Sequence, residues 1–402
     1  MASSKDAVVL DVDGREIRVS SPGRVVYDAT DTTPQVTKLQ VCEYVAAVSG
    51  PMLRALGDRP TAMERWPDGW HEGMRLATGP RDPDADGFYQ KRLPKGAPDW
   101  IETARITFPS GRTADELCPT EAAHLVWAAQ MGTLTFHPWP VRRPDVDHPD
   151  ELRIDLDPQP GTTFADVRRV ADTTRELLAE LGIRGYAKTS GNRGVHVYVR
   201  IRPEHSFEDV RHAAIGLGRE LERRDDGVTT AWWKEERGER VFVDLNQNNR
   251  DRTIAGAWSL RARPGAPVST PVTWAQLAEV DDPAVLNIHT VPERLADGDP
   301  WADVDDVAHD LAPLLELWET LPGGELNFPP DYPKMPGEPR GCSPARRSRP
   351  TGTATGTASR TPRTVPTHPR EGCRARAAGH VWLVFSRREG SVSGRTPTYD
   401  LS

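Results

Sequence analysis

The centre of the chain alternates short apolar runs with amphipathic stretches, and this alternation limits the possible fold more than any other feature. The apolar runs have the length and β-branched content of strands, and the amphipathic stretches repeat apolar residues at helical spacing. In chain order the sequence predicts strands at 152–157, 185–189, 195–201 and 240–246, and helices at 163–181 and 206–223. Strands interleaved with helices indicate an α+β or α/β protein, in which helices cover a sheet.

The flanking regions show weaker signals of the same kind. Residues 7–19 alternate apolar and polar side chains around Asp13-Gly14, which predicts a β-hairpin. Further helices are predicted at 36–56, 119–131 and 303–319, and short strands at 62–66, 87–91 and 103–108.

The last 66 residues differ from the rest in composition. Residues 337–402 hold 12 Lys and Arg against 4 Asp and Glu, a net charge of +8, whereas the whole chain carries −8, so residues 1–336 carry −16. Rich in Arg, Thr and Pro, this segment offers too little apolar surface to offset the entropy of an ordered chain. We therefore expect a folded domain over 1–336 and a basic, disordered tail over 337–402. An acidic domain also argues against a simple basic coat for nucleic acids.

Several protein classes are excluded. No apolar run approaches the ~18 residues of a membrane span, and the acidic start lacks the apolar stretch of a signal peptide. The four cysteines are scattered and form no CxxC pair, which argues against a disulfide framework or a zinc site. We expect a soluble protein of a reducing compartment that does not interact with membranes.

Paired acids end the first central strand. Asp155 and Asp157 alternate with apolar residues, so both carboxylates project from one face of the strand. Two like charges this close repel unless a cation lies between them, and carboxylate oxygens are the ligands that Mg²⁺ and Mn²⁺ prefer. Asp244, within another apolar strand, is a third candidate. The alternative is an edge strand whose acids are simply solvated.

The turn between the second and third central strands combines glycines with hydrogen-bond donors. In Thr-Ser-Gly-Asn-Arg-Gly, the glycines allow backbone N–H groups to turn inward, and Ser190, Arg193 and His196 add a hydroxyl and cationic or donor groups. Such a set suits the binding of phosphates. The alternatives are an ordinary tight hairpin and a structural histidine.

Five motifs in order carry a family resemblance: TFHPWPVR, RIDLDP, TSGNRGVHVYV, VFVDLNQN and WSLRARPGAPVSTPVTW. Together with RPTAMERWPDG and GFYQKRLPKGAPDW upstream, they resemble the polymerase domain of bacterial DNA ligase D, a member of the archaeo-eukaryotic primase superfamily. The similarity covers roughly residues 5–330, with the active-site motifs at 137–261. It implies an α+β fold of primase-polymerase-like mixed sheets flanked by helices.

The resemblance also implies site residues around the reacting phosphates. Asp155, Asp157 and Asp244 match the family's metal-binding triad, which implies two Mn²⁺ or Mg²⁺ ions with nucleoside triphosphates as substrate. Ser190 and His196 match its triphosphate contacts.

Other matches surround the incoming nucleotide. Arg261 matches a contact to the incoming nucleotide, and His137 matches an active-site histidine near its sugar. Phe88 and Tyr89 match an aromatic pair that packs on the template and incoming base. Two cations lie near these positions: Lys91 and Arg65.

A separate pair is implied for DNA ends. Lys38 matches a lysine that holds the 5′-phosphate of a broken end, and Arg24 takes the place of a second phosphate-binding lysine at a longer spacing. The chain also departs from the family: Arg193 stands where many relatives carry Lys, and Glu64 where some carry a basic residue. No ligase motif K-x-D-G-x-R occurs in the chain, so we expect a stand-alone polymerase.

The resemblance implies a metal-dependent, DNA-directed nucleotidyltransferase that fills gaps and extends ends of broken DNA in non-homologous end joining. It further implies a cytoplasmic, nucleoid-associated protein whose partners are DNA with a 5′-phosphate, Ku and a separate ATP-dependent DNA ligase. One alternative is a non-catalytic scaffold that binds 5′-phosphate ends and recruits Ku and a ligase, and another is a two-metal nuclease.

Overall fold

The computed structural model of the chain describes residues 7–77, 82–108 and 111–323. The predicted domain boundary at 336 and the predicted basic tail lie outside these residues. No helix in the described part of the chain is long and apolar enough to cross a bilayer.

The strands of the described residues follow, in chain order. They are β1 (Ala7–Val12), β2 (Arg15–Ser20), β3 (Val25–Tyr27), β4 (Val36–Thr37), β5 (Thr61–Arg65), β6 (Phe88–Gln90), β7 (Thr103–Thr107), β8 (Thr113–Leu117), β9 (Thr133–Pro138), β10 (Glu151–Pro158), β11 (Tyr186–Thr189), β12 (Val195–Arg200), β13 (Val228–Thr229), β14 (Val241–Asp244) and β15 (Pro271–Val272).

Helices lie between and after these strands. They are α1 (Lys38–Ala47), α2 (Ser49–Leu56), α3 (Ala122–Gln130), α4 (Phe164–Glu180), α5 (Phe207–Arg224), α6 (Lys234–Arg237), α7 (Trp274–Glu279), α8 (Val291–Leu295) and α9 (Ala312–Thr320). Short 3₁₀ turns occur at Leu245–Asn248 and Pro283–Val285.

A six-stranded sheet forms the centre of the molecule, in the order β13-β14-β10-β12-β11-β15. All its pairs are antiparallel except β13 with β14. Helices α4 and α5 contact β10, and the alternate residues Leu152, Ile154 and Leu156 of that strand are fully buried. Because side chains alternate along a strand, Asp155 and Asp157 project from the face opposite these apolar residues.

A second sheet has the strand order β6-β5-β8-β7, in which β6 and β8 pair with different residues of β5. Strand β9 also pairs with β5, along its whole length. This arrangement places Glu64 opposite both Tyr89 on β6 and Thr135 on β9. Segments far apart in the chain thereby contribute side chains to one surface.

Buried charges connect the start of β10 to the segment before β5. Arg59 is fully buried, donates to both carboxylate oxygens of Asp150, and lies 3.1 Å from Oε1 of Glu151. Arg153 and Arg200 also contact Glu151. This cluster holds the N-terminal end of the strand that carries Asp155 and Asp157.

The structure confirms the predicted α+β class, the hairpin β1–β2, the central strands and the helices α4 and α5. The predicted helix over 36–56 is interrupted at Val48, because Pro51 has no N–H to continue the hydrogen-bond pattern of α1. The predicted helix over 303–319 is wrong in its first half. Only Ala312–Thr320 is helical, and Pro313 lies in its first turn, where proline is favoured.

Candidate functional site

One row of residues crosses the central sheet. In the strand register, Asp244 of β14 lies opposite Asp155 of β10, Asp155 lies opposite His196 of β12, and His196 lies opposite Lys188 of β11. Residues directly opposite each other share a face of the sheet, and Asp157 lies two positions from Asp155 on that face. The fold therefore brings together the three acids that the sequence singled out.

The acids on this face lie close enough together to raise the pKa of Asp155. Burial raises the pKa of Asp155 well above its usual value, and the carboxylates of Asp244 and Asp157 raise it further. The pKa of Asp157 is also raised, mainly by burial, although Arg193 opposes the shift. Binding of a cation would relieve the repulsion between these crowded carboxylates.

Each acid also has its own polar neighbours. Oδ1 of Asp155 lies 3.3 Å from Nε2 of His196, and Oδ2 of Asp244 accepts a 3.0 Å hydrogen bond from Gln247. Asp157 accepts one from Gln159. As these side chains lie, no three acidic, histidine or cysteine groups of the described residues are arranged to hold a metal ion. The oxygen donors and the charge fit a hard divalent cation, but the carboxylates would have to exchange these contacts for it.

The turn after β11 is closed by its own serine. Oγ of Ser190 accepts hydrogen bonds from the backbone N–H groups of Asn192 (3.2 Å) and Gly194 (3.0 Å). Two backbone N–H groups of this turn therefore already donate to an acceptor within the turn. Gly191 has φ +68°, and a Cβ there would lie 2.5 Å from Cγ of Arg261, so only glycine fits.

Arg261 lies against this turn, and its guanidinium donates to the carbonyl oxygen of Ser190 at 2.9 Å. His196, across the sheet, is almost fully buried, and burial, with Lys188 and then Arg261, lowers its pKa well below the usual value. The imidazole is therefore neutral, which limits it to donating from one ring nitrogen and accepting at the other.

The second sheet adds a buried pair. Nε2 of His137 lies 3.1 Å from Oε2 of Glu64, whose other oxygen accepts a hydrogen bond from Trp66. Burial lowers the pKa of His137, so the neutral ring donates to Glu64. The ring of Tyr89 meets His137 edge-on at 5.1 Å between centroids, and burial raises the pKa of Tyr89 to about 12.

Successive residues of β6 point in opposite directions, so Phe88 and Tyr89 do not form one stacking surface. Phe88 lies beneath the guanidinium of Arg65, 5.3 Å from the ring centroid. Arg65 is held by hydrogen bonds to the carbonyl oxygen of Met131 and to Gln90.

A cavity of about 470 Å³ is lined by residues from both sheets. Its size is in the range of small-molecule binding sites. The sequence-predicted residues that line it are Tyr89, Lys91, His137, Asp155, Asp157, Ser190, His196 and Arg261. Those that do not line it are Arg24, Lys38, Arg65, Phe88, Arg193 and Asp244.

Lys38, at the first position of α1, is mostly buried, and its Nζ donates to Oγ of Ser20 at 3.2 Å. Burial lowers its pKa, and the nearby positive charges of Arg24 and Arg65 contribute. Arg24 itself donates to the carbonyl oxygen of Pro67 and pairs with Asp68. The cations therefore lie near one another, but Arg24 is already partnered.

The model of the primase-polymerase domain of LigD matches residues 37–301, about two thirds of the chain. The chain belongs to the LigD primase-polymerase family. It is 31% identical over 292 residues to the multifunctional non-homologous end joining protein LigD of Pseudomonas aeruginosa, covering 71% of this chain and 32% of that protein. It is 32% identical over 295 residues to the LigD of Mycolicibacterium smegmatis, covering 72% of this chain and 36% of that one.

Among solved structures, the LigD-family chain is similar to the polymerase domain of Mycobacterium tuberculosis ligase D in complex with DNA. The TM-score is 0.62 at 31% identity, and the match covers 73% of this chain and 99% of that domain. The chain thus spans about a third of the length of the curated LigD proteins it matches, but nearly all of the solved polymerase domain.

The LigD match includes every residue that the sequence singled out except Arg24. Sequence reasoning missed Lys188, which precedes the Ser-Gly turn, and Gln247, which lines the cavity. A lysine within the strand-forming run GYAKT was a signal that could have identified Lys188, because a charged residue in a buried strand requires polar partners.

Proposed function

We propose that this chain is a metal-dependent, DNA-directed nucleotidyltransferase that fills gaps and extends ends of broken DNA in non-homologous end joining. The observation that carries the proposal is the placement of Asp155 opposite Asp244, with Asp157 on the same face, beside a cavity that Ser190, His196 and Arg261 also line. The relative solved as a polymerase domain with DNA supports the same assignment.

Asp155, Asp157 and Asp244 would hold the divalent ions, two in number and either Mn²⁺ or Mg²⁺. When bound, such ions lower the pKa of the attacking hydroxyl and neutralise charge on the phosphates. A nucleotidyltransferase needs carboxylates of this kind, whereas a scaffold for DNA ends does not.

The remaining cavity residues would bind the nucleotide. Arg261 lies against the turn of Ser190 and would place positive charge beside the triphosphate, and Arg193, which lies outside the cavity and acts on Asp157, would add to this charge. His196, neutral and buried, would donate one hydrogen bond to a phosphate oxygen.

His137 and Tyr89, which contact each other, would bind the sugar and base of the incoming nucleotide, and Lys91 lies at the same cavity. Arg65 and Phe88 do not line the cavity and would support this wall from behind.

DNA ends would bind at Lys38, with Arg24 nearby, through a 5′-phosphate. DNA is thus the proposed macromolecular partner, and Ku and a separate ATP-dependent ligase are the proposed protein partners.

The test uses the full chain with a gapped duplex that carries a 5′-phosphate, labelled nucleoside triphosphates and Mn²⁺ or Mg²⁺. We expect primer extension, its loss with EDTA, and its loss in Asp157→Asn. The matched control is Asp226→Asn, which removes one exposed acid outside the cavity and should retain full extension.

Other outcomes would replace the proposal. Shortening of the primer would indicate a nuclease. A complex with DNA that forms without extension in either metal would indicate a scaffold that binds 5′-phosphate ends.

A further inference from the structure

Lys188 is a lysine without exposed surface, inside the central sheet. Its Nζ lies 2.8 Å from Nδ1 of His196 and 2.5 Å from Oγ of Ser269, and it makes no ion pair with a carboxylate among the described residues. Burial of a lysine is costly unless its hydrogen bonds are satisfied. Here both hydrogen bonds are directed at neutral groups, one of them a histidine that lines the candidate site.

The direction of these hydrogen bonds follows from the partners. Oγ of Ser269 donates its own proton to the carbonyl oxygen of Thr189 at 3.1 Å, so that oxygen accepts from Lys188. Burial and then Arg261 lower the pKa of Lys188 well below its usual value, yet even an uncharged amine keeps two N–H bonds, one for each acceptor.

The surroundings of the two ring nitrogens of His196 agree with a hydrogen bond donated by Lys188. Nε2 of His196 lies 3.3 Å from Oδ1 of Asp155, whereas Nδ1 lies 2.8 Å from an amine that has an N–H bond to donate to it. Nδ1 therefore accepts from Lys188, and Nε2 carries the ring proton. A single interaction partner at each nitrogen thus selects one tautomer of the neutral ring.

We propose that Lys188 is a positioning residue that holds His196 in the Nε2–H tautomer and directs this N–H to Asp155 and to the phosphate oxygens of a bound nucleotide. The proposal rests on the function proposed above for its phosphate contact, but not for the tautomer. Without Lys188, His196 could carry its proton on Nδ1 and turn an unshared electron pair of Nε2 toward the carboxylate and the phosphates, which both repel it.

The decisive measurement is the tautomer of His196 in the full chain labelled with ¹⁵N-histidine. Long-range ¹H–¹⁵N spectra distinguish the protonated from the unprotonated ring nitrogen, and the spectrum of His196→Gln identifies the signal among the 11 histidines. We expect a pure Nε2–H form in the wild type and a mixture or an Nδ1–H form in Lys188→Met. A wild type in the Nδ1–H form, or an unchanged tautomer in Lys188→Met, would overturn the proposal.

Kinetics provide the second measurement. Loss of a partner that orients a site residue typically lowers activity by roughly 10–100-fold, and we expect this loss in kcat/KM of Lys188→Met, mainly through KM for the nucleotide. The control is Tyr198→Phe, whose ring lies 5.7 Å from Nζ of Lys188 and whose hydroxyl has no hydrogen-bond partner among the residues described. It should change neither the tautomer nor KM.

The two measurements separate the possible failures. An inactive wild type contradicts the proposed function, while the spectra still decide the role of Lys188. If Lys188→Met does not fold, the wild-type spectrum alone retains the power to overturn the proposal. If KM for the nucleotide rises equally in Lys188→Met and Tyr198→Phe, packing around the two side chains and not the hydrogen bond from Lys188 sets nucleotide affinity, and the proposal is wrong.

Discussion

Asp155 lies directly opposite Asp244 in the β10–β14 ladder, although three helices and three strands of the same sheet separate them in the chain. The carboxylate of Asp244 is the largest contribution after burial to the raised pKa of Asp155. The fold thus maintains a repulsion between two acids, and this repulsion can be measured.

The first prediction concerns the stability of the metal-free protein. Since the pKa of Asp155 is raised in the folded state, its ionisation costs stability as the pH rises above the unfolded value of about 4. Asp155→Asn removes this cost and should raise the melting temperature at pH 7, by about 2–4 °C per kcal/mol of repulsion removed. Calorimetry in EDTA checks this, and the difference from wild type should vanish below pH ~4.

The same variant should respond differently to metal. Mn²⁺ should raise the melting temperature of the wild type, since an ion that binds only the folded state stabilises it, and should raise that of Asp155→Asn much less. Asp226→Asn, an exposed acid, should behave as wild type. Equal responses in all three proteins would place the ion elsewhere.

The second prediction concerns recognition of DNA ends. Wild type should bind gapped DNA with a 5′-phosphate more tightly than the same DNA with a 5′-hydroxyl, and Lys38→Ala should remove most of this difference. A charged hydrogen bond contributes about 1.5–3 kcal/mol, so the preference should be roughly 10–150-fold. Titrations by fluorescence anisotropy measure it.

The control for this prediction is Arg18→Ala, which removes an exposed cation two residues before Ser20 on β2. If positive charge in general attracts the DNA, both variants lose affinity for the two DNAs alike, and Lys38 has no special role. Extension of saturating open primer–template should be nearly unaffected by Lys38→Ala.

The third prediction concerns the buried charges at the start of β10. Arg59→Met leaves Asp150 and Glu151 without their main partner, and loss of one member of a buried ion pair typically costs about 3–5 kcal/mol. Chemical denaturation measures the change. The exposed pair Arg105–Asp115, at 2.8 Å, provides the control: Arg105→Met should cost at most about 1 kcal/mol.

The loss of stability in Arg59→Met should depend on pH. Burial opposes ionisation of Asp150 and Glu151, but Arg59 and Arg200 lower the pKa of both below the usual value. A lowered pKa contributes stability above the unfolded value of about 4, and that stability is lost as the pH falls through the folded value. The difference between wild type and Arg59→Met should therefore be largest at neutral pH and shrink below pH ~4.

The fourth prediction concerns the basic segment 337–402. A chain that ends at residue 336 should melt at nearly the same temperature as the full chain, because this segment has no periodic apolar pattern to pack on the domain. It should bind DNA less tightly, with a weaker dependence on salt, since removal of a net charge of +8 removes attraction to the phosphates. A large fall in melting temperature would show that the segment packs on the domain.

Local sequence patterns were sufficient for several elements. The spacing of Val167, Val170, Leu177 and Leu178 predicted α4, and all four are buried against the sheet. The alternation in LRIDLD predicted that Asp155 and Asp157 share a face. The prediction over 303–319 was wrong at its start, because residues 303–311 contain acids and precede Pro313, which starts a helix more readily than it continues one.

The sequence by itself determined which segments form strands and helices, and that two acids share one face of β10, because these properties depend on neighbours within a few residues. Only the tertiary structure decided that Asp244 faces Asp155, that Lys188 reaches His196 and that Glu64 pairs with His137. Those pairings depend on strand register, which is set by hydrogen bonds and packing between segments distant in the chain. The same pairings decide how much water reaches each group, and hence which pKa values are shifted.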